Sequence, residues 1–236
     1  MEYVELHLHT NFSFLDGASH PEDLVRRAAE LGYRSLAITD HNGLYGIVRF
    51  DQAAREHGIK PIFGSEITLT SGHHLTLLIT NLEGYINLSQ MLTEALLENE
   101  KGQAKVRWET LVNYHRGLIA LSGCPLGEVP AALINDDEPT AASAALKYQD
   151  LFGSESFYLE LQNHNLPGHQ SLCRDLATLG DKLGIKSVAT NNVHYAVPDG
   201  RRLQDVVTCI KNHTDLDHAG DSFIQILTVT LKLIRG

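Results

Sequence analysis

The sequence is short of cysteine, of positive charge and of long apolar runs, and each shortage removes a class of protein. Three cysteines in 236 residues, Cys124, Cys173 and Cys209, form an odd and widely spaced set. They do not make a disulfide framework, so a reducing compartment, the cytoplasm, is expected. Lysine and arginine total 19 against 29 aspartates and glutamates, a formal net charge of −10 with histidine neutral. That balance argues against a chain that grips nucleic acid through a broad basic surface. No uninterrupted apolar run approaches the roughly 18 residues of a membrane span. The acidic start, Met1-Glu2-Tyr3-Val4-Glu5, shows no signal or transit peptide. A Gly-x-x-x-x-Gly-Lys phosphate loop is also absent, which counts against nucleotide-driven chemistry.

What the chain has in excess is histidine, 13 residues, and histidine is the commonest metal ligand near neutral pH. The rest of the composition, 43% hydrophobic and 20% charged, is that of an ordinary folded domain with enough length for one sizeable core. Periodicity reads as strands alternating with helices. Strands are expected over residues 3–9, 35–39, 62–69, 75–80, 118–121, 157–161 and 186–189. Helices are expected near 44–57, 82–96, 139–152, 169–183 and 198–211. Another helix opens on Ser19-His20-Pro21-Glu22, which looks like a capping box, and stops at Gly32. Seven strands, mostly followed by helices, point to parallel pairing and to a barrel rather than an open sheet. The stretch 222–236 is rich in β-branched residues and leucine, and an extra strand, a packed helix or an oligomer contact all fit it.

Residues able to hold a metal recur where these strands end. His7 and His9 point the same way on the first strand, so both imidazoles can reach one ion. Asp16 follows that strand, Asp40 and His41 end the second, Glu66 lies in the third, and His73-His74 opens the fourth. Cys124 follows the fifth strand, and Asn192 and His194 follow the seventh. In α/β barrels the active site lies at this end, where the loops after parallel strands converge. Imidazole, carboxylate and one thiolate suit zinc, manganese or iron better than a lone magnesium or calcium. Cys173 and Cys209 read as packing residues, His115 as a loop residue, and His20, His57, His164, His169, His213 and His218 as surface or capping residues. Arg201 and Arg202, near Lys211, form the best basic cluster, either a solvated helix face or a contact for phosphate.

These stretches carry a resemblance. His7-Leu8-His9-Thr10, Ile38-Thr39-Asp40-His41, Gly64-Ser65-Glu66, Ser122-Gly123-Cys124-Pro125 and Thr190-Asn191-Asn192-Val193-His194-Tyr195 resemble the PHP (polymerase and histidinol phosphatase) domain family. The likeness is strongest to the N-terminal PHP domain of bacterial DNA polymerase III alpha subunits. Phe12-Ser13-Phe14-Leu15-Asp16-Gly17-Ala18 and Arg202-Leu203-Gln204-Asp205-Val206 are similar to the error-prone branch of that group. The resemblance covers about residues 2–220 and fades after Gly220.

The resemblance implies an α/β fold, a distorted seven-stranded (β/α)7 barrel over residues 1–220. A divergent apolar tail follows over 221–236, with no polymerase domain. It implies two to three divalent metal ions, manganese or zinc with iron as a further option. The ligand positions are then His7, His9, Asp16, His41, Glu66, His74, Cys124, Asn192 and His194, with Glu66 between ions and His74 rather than His73 facing inward. Asn192 departs from the family, where aspartate is common, and an amide brings neither charge nor basicity. The implied activity is phosphoester hydrolysis, most concretely 3′–5′ exonuclease-type cleavage of DNA by water activated at the ions, with no separate side-chain base assigned. Arg201 and Arg202 would meet substrate phosphate. Alternatives are a structural domain for polymerase or replication proteins and a phosphatase acting on monoesters. No membrane partner is expected, and an oligomer contact through 221–236 remains open.

Overall fold

Six strands form one sheet in a computed structural model that describes residues 3–218 together with Thr230 and Leu231. They are β1 (Ser35–Ile38), β2 (Lys60–Thr68), β3 (His74–Ile79), β4 (Leu118–Leu121), β5 (Phe157–Gln162) and β6 (Ser187–Thr190), in sequence order across the sheet. The helices are α1 (Pro21–Glu30), α2 (Ile47–His57), α3 (Leu82–Glu98), α4 (Trp108–Tyr114), α5 (Glu128–Ile134), α6 (Glu138–Phe152), α7 (His169–Leu183) and α8 (Arg201–Lys211). A 3-10 turn, Pro198–Gly200, leads into α8. No helix among the described residues is long and apolar enough to cross a membrane.

The strand count and the pairing both depart from the sequence expectation. Residues 3–9 pair through isolated bridges, Glu5 with Leu36 and Leu8 with Val193, rather than as a seventh strand. The reason is local, because side chains take two of its amides. The N–H of His7 donates to Oε1 of Glu5 and that of Leu8 to Oγ1 of Thr39. β1–β2, β4–β5 and β5–β6 are parallel, as expected, but β3 runs antiparallel to both β2 and β4. Only a short turn joins β2 to β3, and a parallel return needs a crossover of about a dozen residues.

The sheet is curled. Ala37, Leu78 and Leu121 pack together on its inner side with Leu6, Ile62, Ile119, Tyr158 and Val188, contributions from every strand and from the N-terminal segment. On the outside, α3 to α7 bury their apolar stripes against β3, β4 and β5 around Leu77, Leu88, Met91, Tyr148 and Phe157. A second cluster joins α1 and α2 to Leu8, Leu36, Val193 and Leu231. Thr230 bridges to Tyr195 and Leu231 is buried, so part of the apolar tail covers this domain. The remainder of 221–236 lies outside the described residues.

Two further expectations change. α1 is capped at His20 without a side-chain bond, and Oγ of Ser19 instead accepts from the N–H of Ala196. Pro21 at the first helical position supplies the start. The short helices α4 and α5 carry too few turns to show a period, and the sequence reading did not contain them.

Candidate metal centre

Backbone pairing delivers the ligand-type residues to one end of the sheet. The segment holding His7 and His9 lies between β1 and Val193: Ala37 and Thr39 donate to the carbonyls of Glu5 and Leu8, while His9 donates to Val193 and Val193 donates to His7. Glu5, His7 and His9 therefore share one side, and all three are fully buried. Asp16 sits on the turn that follows. There Gly17 packs so closely on the carbonyl of Thr10 that a Cβ would overlap it. Asp40, buried after β1, ties that turn down by accepting from the N–H and Oγ1 of Thr10 and from Oγ of Ser13. A bridge sets His41 beside Glu66. His74 starts β3 opposite Gly127, and Gly123 makes room for its carbonyl while adopting a φ of +87°. That left-handed glycine lets the loop place Cys124 with Sγ 3.4 Å from Nδ1 of His74.

Glu66 is the hub. Its Oε1 lies 3.5 Å from Nε2 of His7 and 3.4 Å from Nδ1 of His74, and its Oε2 lies 3.4 Å from Nε2 of His9 and 3.0 Å from Nε2 of His41. Three overlapping groups result: His7, His9 and Glu66; His9, Asp16 and His41; His41, Glu66 and His74, each with ligand atoms within 4.8 Å of one another. Two ligands about 2.1 Å from one tetrahedral ion stand roughly 3.4 Å apart, which is the spacing these pairs show. His194 stacks on His9 with ring centroids 4.7 Å apart and turns Nδ1 to the main-chain oxygen of Asp16 at 2.8 Å.

The electrostatics fit a cation site. Burial alone would lower His7, but Glu160 and Glu66 outweigh it and hold the imidazole well above its usual value. Burial works against ionising Asp16 and Glu66 too, yet the surrounding imidazoles hold both carboxyls well below their ordinary range, with Lys211 helping at Asp16. Burial pushes His194 down to about 4 and lowers His9 as well. Burial first, then the Glu66 charge, raises the Cys124 thiol well above its usual value. A divalent ion beside a thiol reverses that balance and favours the thiolate.

Two buried oxygens of the cluster, Oδ2 of Asp16 and Oε1 of Glu66, make no hydrogen bond. A buried polar atom left unpaired costs about 1–3 kcal/mol, and two in one cluster, among five imidazoles and a thiol, are donors that could hold a cation. The residues present fit the implied ions. The structure brings together His7, His9, Asp16, His41, Glu66 and His74, with Cys124 and His194 touching the cluster. Asn192 takes a left-handed φ of +44° with its amide oxygen unpaired. His73 faces the carbonyl of Leu126 instead. Arg201 pairs with Asp205 at 3.6 Å and Arg202 is exposed, and neither touches the cluster among the described residues.

Sequence reasoning missed or misplaced several residues. Glu160, fully buried on β5, holds Nδ1 of His7 at 2.7 Å and also accepts from Gln162, with Oγ1 of Thr190 a further close donor. Its signal was an acidic residue between two leucines of a strand. His164, expected at the surface, is buried with Nε2 on the carbonyl of Asn191. Cys209 is buried as expected, while Cys173 is half-buried and donates to the carbonyl of Gln162.

Comparison with known proteins shows the family and the fold. A family model described as PHP domain matches residues 5–164. An error-prone DNA polymerase of Symbiobacterium thermophilum is 42% identical over 233 residues, 92% of this chain and 21% of the relative. A DNA polymerase III subunit alpha of Treponema pallidum is 37% identical, over 91% of this chain and 20% of the relative. The chain thus spans about a fifth of the length of the curated relatives it matches. Among solved structures, an amidohydrolase of Chromobacterium violaceum aligns with a TM-score of 0.59 at 17% identity, over 81% of this chain and 87% of that one. A protein described as a metal-dependent phosphoesterase of Bifidobacterium adolescentis aligns at 0.52 and 16%, over 82% and 88%; at such identities the likeness is one of fold. On the family match and these relatives, the chain belongs to the PHP domain family and corresponds to the PHP region of DNA polymerase III alpha and error-prone polymerases.

Proposed function

We propose that this chain is a metal-dependent phosphoesterase that hydrolyses DNA phosphodiesters in the manner of a 3′–5′ exonuclease, in company with a polymerase in the cytoplasm. The observation that carries the reading is Glu66, a fully enclosed carboxylate with two imidazole nitrogens at each oxygen. In this reading residues 1–220 are the metal-binding domain, with the extended segment of His7 and His9 held between β1 and Val193 by bridges rather than as a full strand. His7, His9, Glu66, Asp16, His41, His74, Cys124, Asn192 and His194 are the ligands, for two to three ions of manganese, zinc or iron. When bound, such ions supply Lewis acidity toward a phosphoryl oxygen and toward water. The protein's own part is positioning. Glu160 fixes the tautomer of His7, Ser13 braces His9 through Nδ1 at 3.2 Å, and Asp40 holds the Asp16 turn. Arg201 and Arg202 meet the DNA backbone further from the reacting phosphate.

The test is release of mononucleotides from single-stranded and 3′-recessed DNA. Activity abolished by chelator and by His9→Ala is expected, and cleavage indifferent to both would contradict the reading. Asn192 favours a second reading, a scaffold domain for polymerase or replication proteins, because a neutral amide weakens one metal position. Metal-loaded protein inert on every phosphate ester tried would select it.

A further inference from the structure

Lys211 ends α8, and its Nζ lies 2.9 Å from Oδ1 of Asp16. Seven residues earlier on the same helix, the buried amide of Gln204 donates to the main-chain oxygen of Asp16 at 2.5 Å. Positions seven apart share a helix face, so α8 aims two donors at one turn, and the buried amide fixes the helix against it. Asp16 divides its oxygens between two neighbourhoods. Oδ2 faces Nε2 of His41 at 3.4 Å, Nδ1 of His194 at 3.5 Å and Nδ1 of His9 at 3.9 Å, without a hydrogen bond. Oδ1 faces Lys211, whose side chain is 50% exposed.

Asp16 is largely enclosed while the Lys211 side chain stays half exposed, so the ammonium stands between the cluster and solvent. That ammonium has three N–H groups and the pair with Asp16 occupies one. The cluster beside it, His9, Asp16 and His41 with Glu66, is where the phosphoesterase reading places the reacting phosphate. A cation carried on a helix at the cluster's edge stands within reach of a phosphoryl oxygen there. Arg201, at the other end of the helix, is held by Asp205.

We propose that Lys211 is a phosphate-binding residue of this site, holding a non-bridging oxygen of the phosphate ester while it stays paired with Asp16. The inference deepens the phosphoesterase reading and rests on it.

Inorganic phosphate is the probe, measured by equilibrium dialysis on the full chain with and without manganese, alongside bound manganese per chain. Lys211→Met should weaken phosphate binding about tenfold, the loss of one charge-assisted bond. Lys211→Arg should retain most of it, and both variants should hold as much manganese as the parent. Unchanged phosphate affinity in Lys211→Met would overturn the proposal. So would a parallel loss of manganese, which makes Lys211 a support for Asp16 only, or an unmodified chain that binds no phosphate in either state. Failure of the phosphoesterase reading looks different: phosphate bound in a Lys211-dependent way by a chain that hydrolyses no ester.

Discussion

Oε1 of Glu160 lies 2.7 Å from Nδ1 of His7, with both side chains fully buried, so one carboxylate decides which nitrogen of His7 faces the cluster. That nitrogen, Nε2, lies 3.1 Å from Nε2 of His9 and 3.5 Å from Oε1 of Glu66. A carboxylate behind a ligating imidazole fixes its tautomer and raises its basicity, and removing one typically costs about 10–100-fold in metal affinity. Glu160→Gln keeps the volume and removes the charge. The expected result is a loss of that size in competition with a chromogenic chelator. Affinity equal to that of the unaltered chain would show that the pair serves packing alone.

Asn192 offers a direct test of the missing charge. Its amide oxygen is buried and unpaired, and in the proposed reading Asn192→Asp gives an ion a carboxylate in place of a neutral dipole. Metal affinity should rise about tenfold, the scale of one added charge-assisted contact, and hydrolysis should rise with it. Without metal the same variant should unfold at lower urea concentration, because an unpaired charge is costly to bury. A variant with unaltered metal affinity would show that Asn192 is not a ligand.

Gly123 tests how the Cys124 loop is built. At a φ of +87°, with a Cβ falling 2.8 Å from the carbonyl oxygen of His74, alanine meets both backbone strain and a clash. Gly123→Ala should cost about 2 kcal/mol or more in urea unfolding. It should also displace Cys124 from His74, which cobalt substitution reads as loss of the thiolate-to-metal absorption. Stability within about 0.5 kcal/mol of the parent, the range of an ordinary surface change, would contradict this.

Glu5 predicts a pH dependence with a definite sign. Burial raises its carboxyl from 4.5 to about 7, against hydrogen bonds from Asn191, Tyr3 and His7 that favour the charge. Between those values the folded chain holds a proton that the unfolded chain has released, so this group's contribution falls as pH rises through that window. Integrated over the shift, the loss is about 3 kcal/mol. Glu5→Gln removes the slope, so its stability relative to the parent should climb by about that amount between pH 4.5 and just above 7. Parallel stability curves for the two proteins would contradict it.

Most of the centre was legible because its signals are local. His7 and His9 are two apart on an extended segment, and Asp16, His41, Glu66, His74, Cys124 and His194 each sit at or beside a strand end. What the sequence hid depends on distant contacts. Ser19 reads as a helix cap, but its hydroxyl is taken by Ala196, 177 positions away. Lys211 meets Asp16 across 195 positions, a pairing no spacing rule anticipates. The antiparallel β3 was readable in principle, since Ser71-Gly72 leaves no room for a crossover between β2 and β3. The seven-strand count failed because side chains of Glu5 and Thr39 replaced ladder bonds in residues 3–9.

The most direct test of the account is metal content per chain, by elemental mass spectrometry, on protein purified without added metal or a nickel-binding tag, beside Glu66→Gln. The account predicts two or three equivalents of manganese, zinc or iron in the parent and a loss of at least one in the variant. Near-zero metal that cannot be restored by reconstitution, or a variant that holds as much as the parent, would contradict it.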